Sequence, residues 1–186
     1  MTAMAIQALA PYYKTNETVK AAVDKALDVL SALQRTDGGF GSWGTVNSES
    51  CAQVIVALTA LGIDPTADSR FIKNGLTVLD ALAGFYVNGG GFRHTAGGDL
   101  DGMATEQGYY ALASYYRFLN GQTSLYDMSD VAVQTAGTSG GDNSGNGTNN
   151  GGTPATGDTG VLVWVIALPV AAVAAAFVLK RKKREE

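Results

Sequence analysis

Two stretches, Cys51-Ala-Gln-Val-Ile-Val-Ala-Leu-Thr-Ala-Leu61 and Met103-Ala-Thr-Glu-Gln-Gly-Tyr-Tyr-Ala-Leu112, decide how the first two thirds of the chain folds. Laid over one another they place Gln53 on Gln107 and Ala57-Leu58 on Ala111-Leu112, and the same dipeptide recurs at Ala8-Leu9. Intervals of about fifty residues are those of arrays built from helical pairs. Cys51 to Leu61 is apolar or small nearly all round, as is Met4 to Leu9. Each is therefore expected to be an inner helix, enclosed by neighbours.

The segments between them read differently. Val19, Val23, Leu27 and Leu30, and again Phe71, Gly75, Leu79, Leu82 and Tyr86, keep a three-to-four spacing, with Lys20, Asp24 and Asp28 or Lys73 and Asp80 on other faces. That is the pattern of one-sided outer helices. Boundary residues agree: Asn47 or Ser48 can cap ahead of Glu49, Gly62 and Pro65 end that helix, Asp68 or Ser69 starts the next, and Gly121 follows the last. Asp37-Gly38-Gly39-Phe40 and Gly89-Gly90-Gly91-Phe92 precede the second and third inner helices at nearly the same distance, each glycine cluster turning the chain back. The expected unit is helix, Gly-aromatic turn, helix, repeated to five main helices over residues 1–133.

Beyond the repeats, residues 134–152 are Gly, Asn, Ser and Thr with little apolar to bury, the composition of a disordered tether. Thr153-Pro154-Ala155-Thr156-Gly157-Asp158 follows, then an uncharged apolar stretch at 160–179, then Lys180-Arg181-Lys182-Lys183-Arg184 and the end of the chain at 186. A helix of roughly twenty residues matches the hydrocarbon core of a bilayer, so one transmembrane helix is expected at 160–179. The cations at 180–186 place that tail in the cytoplasm and everything before Gly160 outside.

The order Pro-x-Thr-Gly, apolar span and basic tail resembles the cell-wall sorting signal of Gram-positive surface proteins, whose family motif is Leu-Pro-x-Thr-Gly. The resemblance implies that a sortase recognises Thr153, Pro154, Ala155, Thr156 and Gly157, cuts after Thr156 and joins its carboxyl to an amine of the peptidoglycan. The chain would then be the substrate of that reaction. Thr153 stands where the family has Leu, which leaves the sortase class open. A single-pass anchor that is never cut is the alternative.

The head resembles the α/α-toroid proteins, the prenyltransferase and squalene-cyclase-like repeats and the related vitamin-B12 carriers. Gln34-Arg-Thr-Asp-Gly-Gly-Phe-Gly41-Ser-Trp43 is similar to the Gln-to-Trp motif that ties outer helices together there, with longer spacing. Met103 to Leu112 and Leu125-Tyr-Asp-Met-Ser-Asp130 look like repeats of bacterial surface members. The implied fold class is all-α, a partial toroid of helical hairpins. A complete ring in that superfamily has more pairs than this chain supplies, and Met1-Thr2-Ala3 opens inside an inner helix with no secretory leader. The expectation is the C-terminal part of a longer surface protein.

Enzymes of that superfamily offer two chemistries to look for. Cyclases protonate with Asp-x-Asp-Asp, which Asp99-Leu100-Asp101-Gly102 approaches without its last carboxylate; a solvated loop or a surface calcium site are the other readings. Protein prenyltransferases hold zinc with Asp-x-Cys and a distant His. Glu49-Ser50-Cys51 stands at the first place, no histidine at the second, and His94, the only one, falls in the preceding loop. Neither set is complete, so no catalytic residue, metal or cofactor is assigned, and a terpene cyclase or prenyltransferase fragment is the weaker reading. A binding surface is the stronger one. The starts of the inner helices and the turns before them bring Phe40, Trp43, Glu49, Gln53, Phe92, Arg93, Glu106, Gln107, Tyr109 and Tyr110 to one mouth, where aromatic faces stack and amides hydrogen-bond. A glycan, a corrinoid or another small ligand would suit it; a structural role for many of these residues, in a non-catalytic spacer, is the plainer alternative. The net charge of −4 argues against nucleic acid, and the single cysteine excludes an internal disulfide.

Overall fold

A computed structural model describes residues 1–132; the expected linker at 134–152, the sorting motif at 153–158, the apolar stretch at 160–179 and the basic tail at 180–186 lie outside them. Among the described residues no helix is long and apolar enough to cross a membrane. Within residues 1–132 five α-helices carry the fold: α1 (Thr2–Leu9), α2 (Glu17–Leu33), α3 (Ser48–Ala60), α4 (Val78–Ala83) and α5 (Gly102–Leu119). Two small hairpins join them, β1 (Gly41–Ser42) with β2 (Thr45–Val46) and β3 (Tyr86–Val87) with β4 (Gly91–Phe92), both antiparallel. The head is thus helix-rich, with small strands where the sequence reading placed plain turns.

The helix starts follow from side chains that supply acceptors to otherwise unpaired N–H groups. Asn16 accepts from Val19 N at 3.1 Å, Asn47 from Ser50 N at 2.8 Å and Asp101 from Ala104 N at 2.8 Å. Thr77 and Asp80 form a reciprocal capping box on α4. α3 is the hub: Cys51, Ala52 and Val54 through Thr59 are all buried, and the helix packs against α1, α4 and α5. α3 and α5 run parallel, since Gln53 meets Gln107 near their starts and Thr59 meets Ser114 towards their ends. On α2 the expected face is inward, with Val23, Leu27 and Leu30 buried.

The second outer helix is shorter than its periodicity predicts. Instead of one helix from Ser69 to Tyr86, the chain makes a 3₁₀ turn (Ser69–Phe71), a bridge between Lys73 and Leu76, the six-residue α4 and then β3. Asn74 and Gly75 stand at φ 51° and 77°, the two left-handed residues of a tight reversal that Asn-Gly favours. Phe71, Leu79 and Leu82 are buried even so, carried by separate elements rather than by one helical stripe.

The outer elements are tied by Gln34, whose buried amide donates to Gly38 O at 3.0 Å and to Phe71 O at 2.9 Å. Trp43, at the other end of the Gln-to-Trp stretch, takes no part. It sits at the tip of the first hairpin with φ 52° and full exposure, because Trp43-Gly44 must supply both left-handed residues of a two-residue loop.

Each Gly-aromatic turn is fastened beneath an inner helix in the same way. Phe40 O accepts from Asn47 N at 3.2 Å and Phe92 O from Asp101 N at 3.0 Å. Phe40 N donates to Cys51 Sγ at 3.4 Å and Phe92 N to Thr105 Oγ1 at 2.9 Å. The Phe92 ring presses on Gly108, where an added methyl would stand 2.4 Å from a ring carbon. Gly108→Ala should therefore lower stability by about 1–3 kcal/mol, while Gly102→Ala, with open space at its Cβ, should be neutral or gain up to about 1 kcal/mol. Urea unfolding of the full chain followed by circular dichroism reads both, and equal losses would show that Phe92 does not seat on Gly108.

Candidate functional site

Three polar side chains of one kind line up along the row of α1, α3 and α5. The Gln7 amide Nε2 donates to Gln53 O at 2.8 Å and to Gln53 Oε1 at 2.9 Å, and Gln53 Nε2 donates to Gln107 Oε1 at 3.1 Å and to Tyr110 Oη. Tyr110 Oη in turn donates to Gln107 Oε1 at 3.3 Å. Burial, with added repulsion from Tyr126, Glu106 and Glu49, pushes the Tyr110 phenol up to about 12, so it stays a neutral donor at any physiological pH. Every amide in the row points the same way, nitrogen toward α5 and oxygen toward α1. Among the described residues, Gln7 Oε1 is left without a donor and Gln107 Nε2 without an acceptor.

One turn nearer the start of α3, Glu49 holds His94 with both carboxylate oxygens 2.8 Å from Nδ1, and Ser48 Oγ donates to Glu49 Oε2 at 3.2 Å. Ser48 N also donates to His94 O at 3.0 Å, so the loop after β4 is bound to the preceding inner helix through both backbone and side chain. His94 is the more exposed member of the pair, its side chain 56 % accessible against 16 % for Glu49. Arg93, beside it, has its Nε buried without a partner among the described residues.

Of the residues expected at one mouth, Glu49, Gln53, Gln107 and Tyr110 come together. Glu106 is exposed on α5, one residue before Gln107. Phe40 and Phe92 move to the core, 4 % and 2 % exposed, because their backbones are fastened to the inner helices and their rings fill the gaps behind. Tyr109 covers Phe92 edge-on at 5.6 Å, and burial raises its phenol. Trp43 stands apart at its hairpin tip, beside Gly44, whose carbonyl accepts from Arg35 Nη2 at 2.7 Å. Two members were not expected: Gln7, whose interval to Gln53 is shorter than the Ala-Leu repeat, and His94, which sequence position alone left in a loop. A glutamine in each inner helix was the available signal. Sequence-named candidates do not line the cavity of about 300 Å³ at the opposite end of the row, which Lys14, Thr59, Ser114, Phe118, Gln122 and Ser124 help to form.

The residues weighed for enzyme chemistry have other work. Asp101 caps α5 with its carboxylate, and Asp99 lies in the exposed loop before it. Cys51 is fully buried against Phe40, and its thiol is pushed up to about 12 by burial. Such a thiol is protonated at neutral pH. No set of three or more His, Cys, Asp or Glu suited to a metal ion occurs among the described residues.

No protein-family model, curated protein or solved structure matches the chain. Its function is read from the site itself.

The raised thiol pKa has a direct consequence. The thiolate is the reactive form, and the native state favours the protonated one, so Cys51 should resist iodoacetamide at pH 8.5 and react on the order of a hundredfold faster once unfolded. Equal rates in buffer and in denaturant, followed by mass spectrometry, would show an accessible sulfur and reopen the zinc reading.

Proposed function

We propose that the chain is a cell-surface binding or adhesion module of Gram-positive type, its head an arc of an α/α toroid and its C-terminal signal a substrate for sortase. The observation that carries the binding role is the amide row through Gln7, Gln53 and Gln107, with Tyr110 beside it and the Glu49–His94 pair at its edge. Partly buried amides, a neutral phenol and a carboxylate–imidazole pair offer both donors and acceptors to a polar ligand, while Tyr109 and Tyr110 offer ring faces. A glycan or a corrinoid has that mixture of hydroxyl or amide groups and flat apolar surface. The toroid reading is supported by the parallel α3 and α5, the outer tie through Gln34 and the repeated fastening of Phe40 and Phe92.

Delivery rests on the sequence between Thr153 and Glu186. The apolar stretch and basic stop would hold the precursor in the membrane, the head outside and the tail in the cytoplasm, until the Thr156–Gly157 bond is exchanged for a peptidoglycan linkage. In a sortase-bearing host, muramidase digests should release product lacking residues 157–186, and Pro154→Ala or Thr156→Ala should shift it to the membrane fraction with Glu186 retained. Recovery of the unaltered chain with Glu186 attached would sink the sorting proposal.

A spacer without a ligand is the second reading, favoured by the way the amide row satisfies most of its own hydrogen bonds. Calorimetric titration of the detergent-solubilised full chain with cyanocobalamin and a panel of wall and host glycans separates the two. Binding predicts saturation by at least one probe, weakened roughly tenfold or more by Glu49→Gln or Gln107→Ala. No heat with any probe favours the spacer, and turnover of a polyprenyl diphosphate would favour the cyclase.

A further inference from the structure

The described residues contain three Asn-Gly pairs, Asn74-Gly75, Asn88-Gly89 and Asn120-Gly121. They lie between the 3₁₀ turn and α4, at the tip of the second hairpin and at the end of α5, and both residues of every pair are exposed. An asparagine before glycine carries its own reaction, because glycine has no side chain to keep its backbone nitrogen from the neighbouring amide. That nitrogen, losing its proton to hydroxide or another base, bonds to the asparagine Cγ. The Cγ–Nδ2 bond breaks, ammonia leaves with a proton, and a succinimide ring remains. Water then opens the ring: breaking the bond between the glycine nitrogen and Cγ gives aspartate, and breaking the bond between that nitrogen and the backbone carbonyl carbon gives isoaspartate, whose main chain runs through Cβ. Either product exchanges NH for O and adds a negative charge.

Exposure does not separate the three sites, but hydrogen bonding does. Asn120 is held on both reacting groups, its Nδ2 donating to Tyr116 O at 2.7 Å and Gly121 N donating to Phe118 O at 3.1 Å. The amide is thereby turned back along α5, and the proton of the attacking nitrogen is engaged. At the other two sites neither the asparagine side chain nor the glycine N–H has a partner among the described residues. Lys73 and Leu76 exchange the bonds of the first reversal, at 2.9 and 2.8 Å, and Gly90 N donates to Val87 O at 3.1 Å in the second. The bonds that make these turns pass around the reactive atoms and leave them free.

We infer that Asn74 and Asn88 are sites of spontaneous conversion to isoaspartate and aspartate on the folded protein, with water as the co-reactant, and that Asn120 is protected. At Asn74 the isoaspartate lengthens a two-residue reversal and strains the Lys73–Leu76 pairing around it. The test incubates the full chain in detergent, folded and in denaturant, in mildly alkaline and mildly acidic buffer. Peptic peptides, made in acid so that digestion adds no conversion, are followed by mass spectrometry, electron-transfer fragmentation tells isoaspartate from aspartate, and circular dichroism checks that the folded samples stay folded. In denaturant the three pairs share one local chemistry and should convert at similar rates, faster in the alkaline buffer. In the folded chain Asn120 should lag Asn74 and Asn88 by about tenfold or more, since two hydrogen bonds must open first. Folded chains in which Asn120 keeps pace, or in which Asn74 and Asn88 stay intact while the denatured chain converts, overturn the proposal. Aspartate without isoaspartate overturns it as well, because it would mean direct hydrolysis with no ring.

Discussion

The attachment of Phe40 and Phe92 to the first turn of the helix that follows each is the constraint on which the rest of the head depends. In both repeats the phenylalanine carbonyl accepts from the capping residue, Asn47 or Asp101, and its N–H donates to a side chain one turn in, Cys51 or Thr105. Four hydrogen bonds thereby fix where α3 and α5 begin and at what height. Buried backbone groups that lacked these partners would cost more than the bonds themselves contribute, so the turns cannot slide relative to the helices. The rings then fall behind the inner row, and the glycines before them are required for the chain to approach so closely.

Once α3 and α5 share a height, the polar groups on them are brought into register without further design. Gln53 meets Gln107, Thr59 meets Ser114, and Glu49 at the start of α3 meets His94 in the loop that leads to α5. A one-turn slip would separate every one of these pairs and leave half-buried amides unpaired. The amide row is therefore both a consequence of the repeat and a lock on it.

Cys51 illustrates how the fold reassigns chemistry. Its sulfur accepts the Phe40 N–H and is buried by α3's neighbours, which drives the thiol toward its protonated form. Asp101 is likewise absorbed, its carboxylate facing the N–H of Ala104 at the positive end of α5. Two residues whose types suggested an enzyme thus serve the starts of the two inner helices.

Sequence by itself determined the alternation of fully apolar and one-sided segments, the near-equal intervals between Ala8, Ala57 and Ala111, the capping residues, and the shared repeat position of Gln53 and Gln107, because burial and helix initiation act on local pattern. It also carries everything argued for the C-terminal signal. The division of the second outer segment at Asn74-Gly75 was written locally as well, but a matching three-to-four spacing of Phe71, Leu79 and Leu82 outweighed it, since periodicity records which residues are buried and not whether one helix buries them. Only the tertiary structure decided that Phe40 and Phe92 are core, that Trp43 is bare, that Gln7 joins the row and that His94 belongs to Glu49. Those outcomes depend on the distance between segments some fifty residues apart, and no local pattern encodes a distance that packing alone sets.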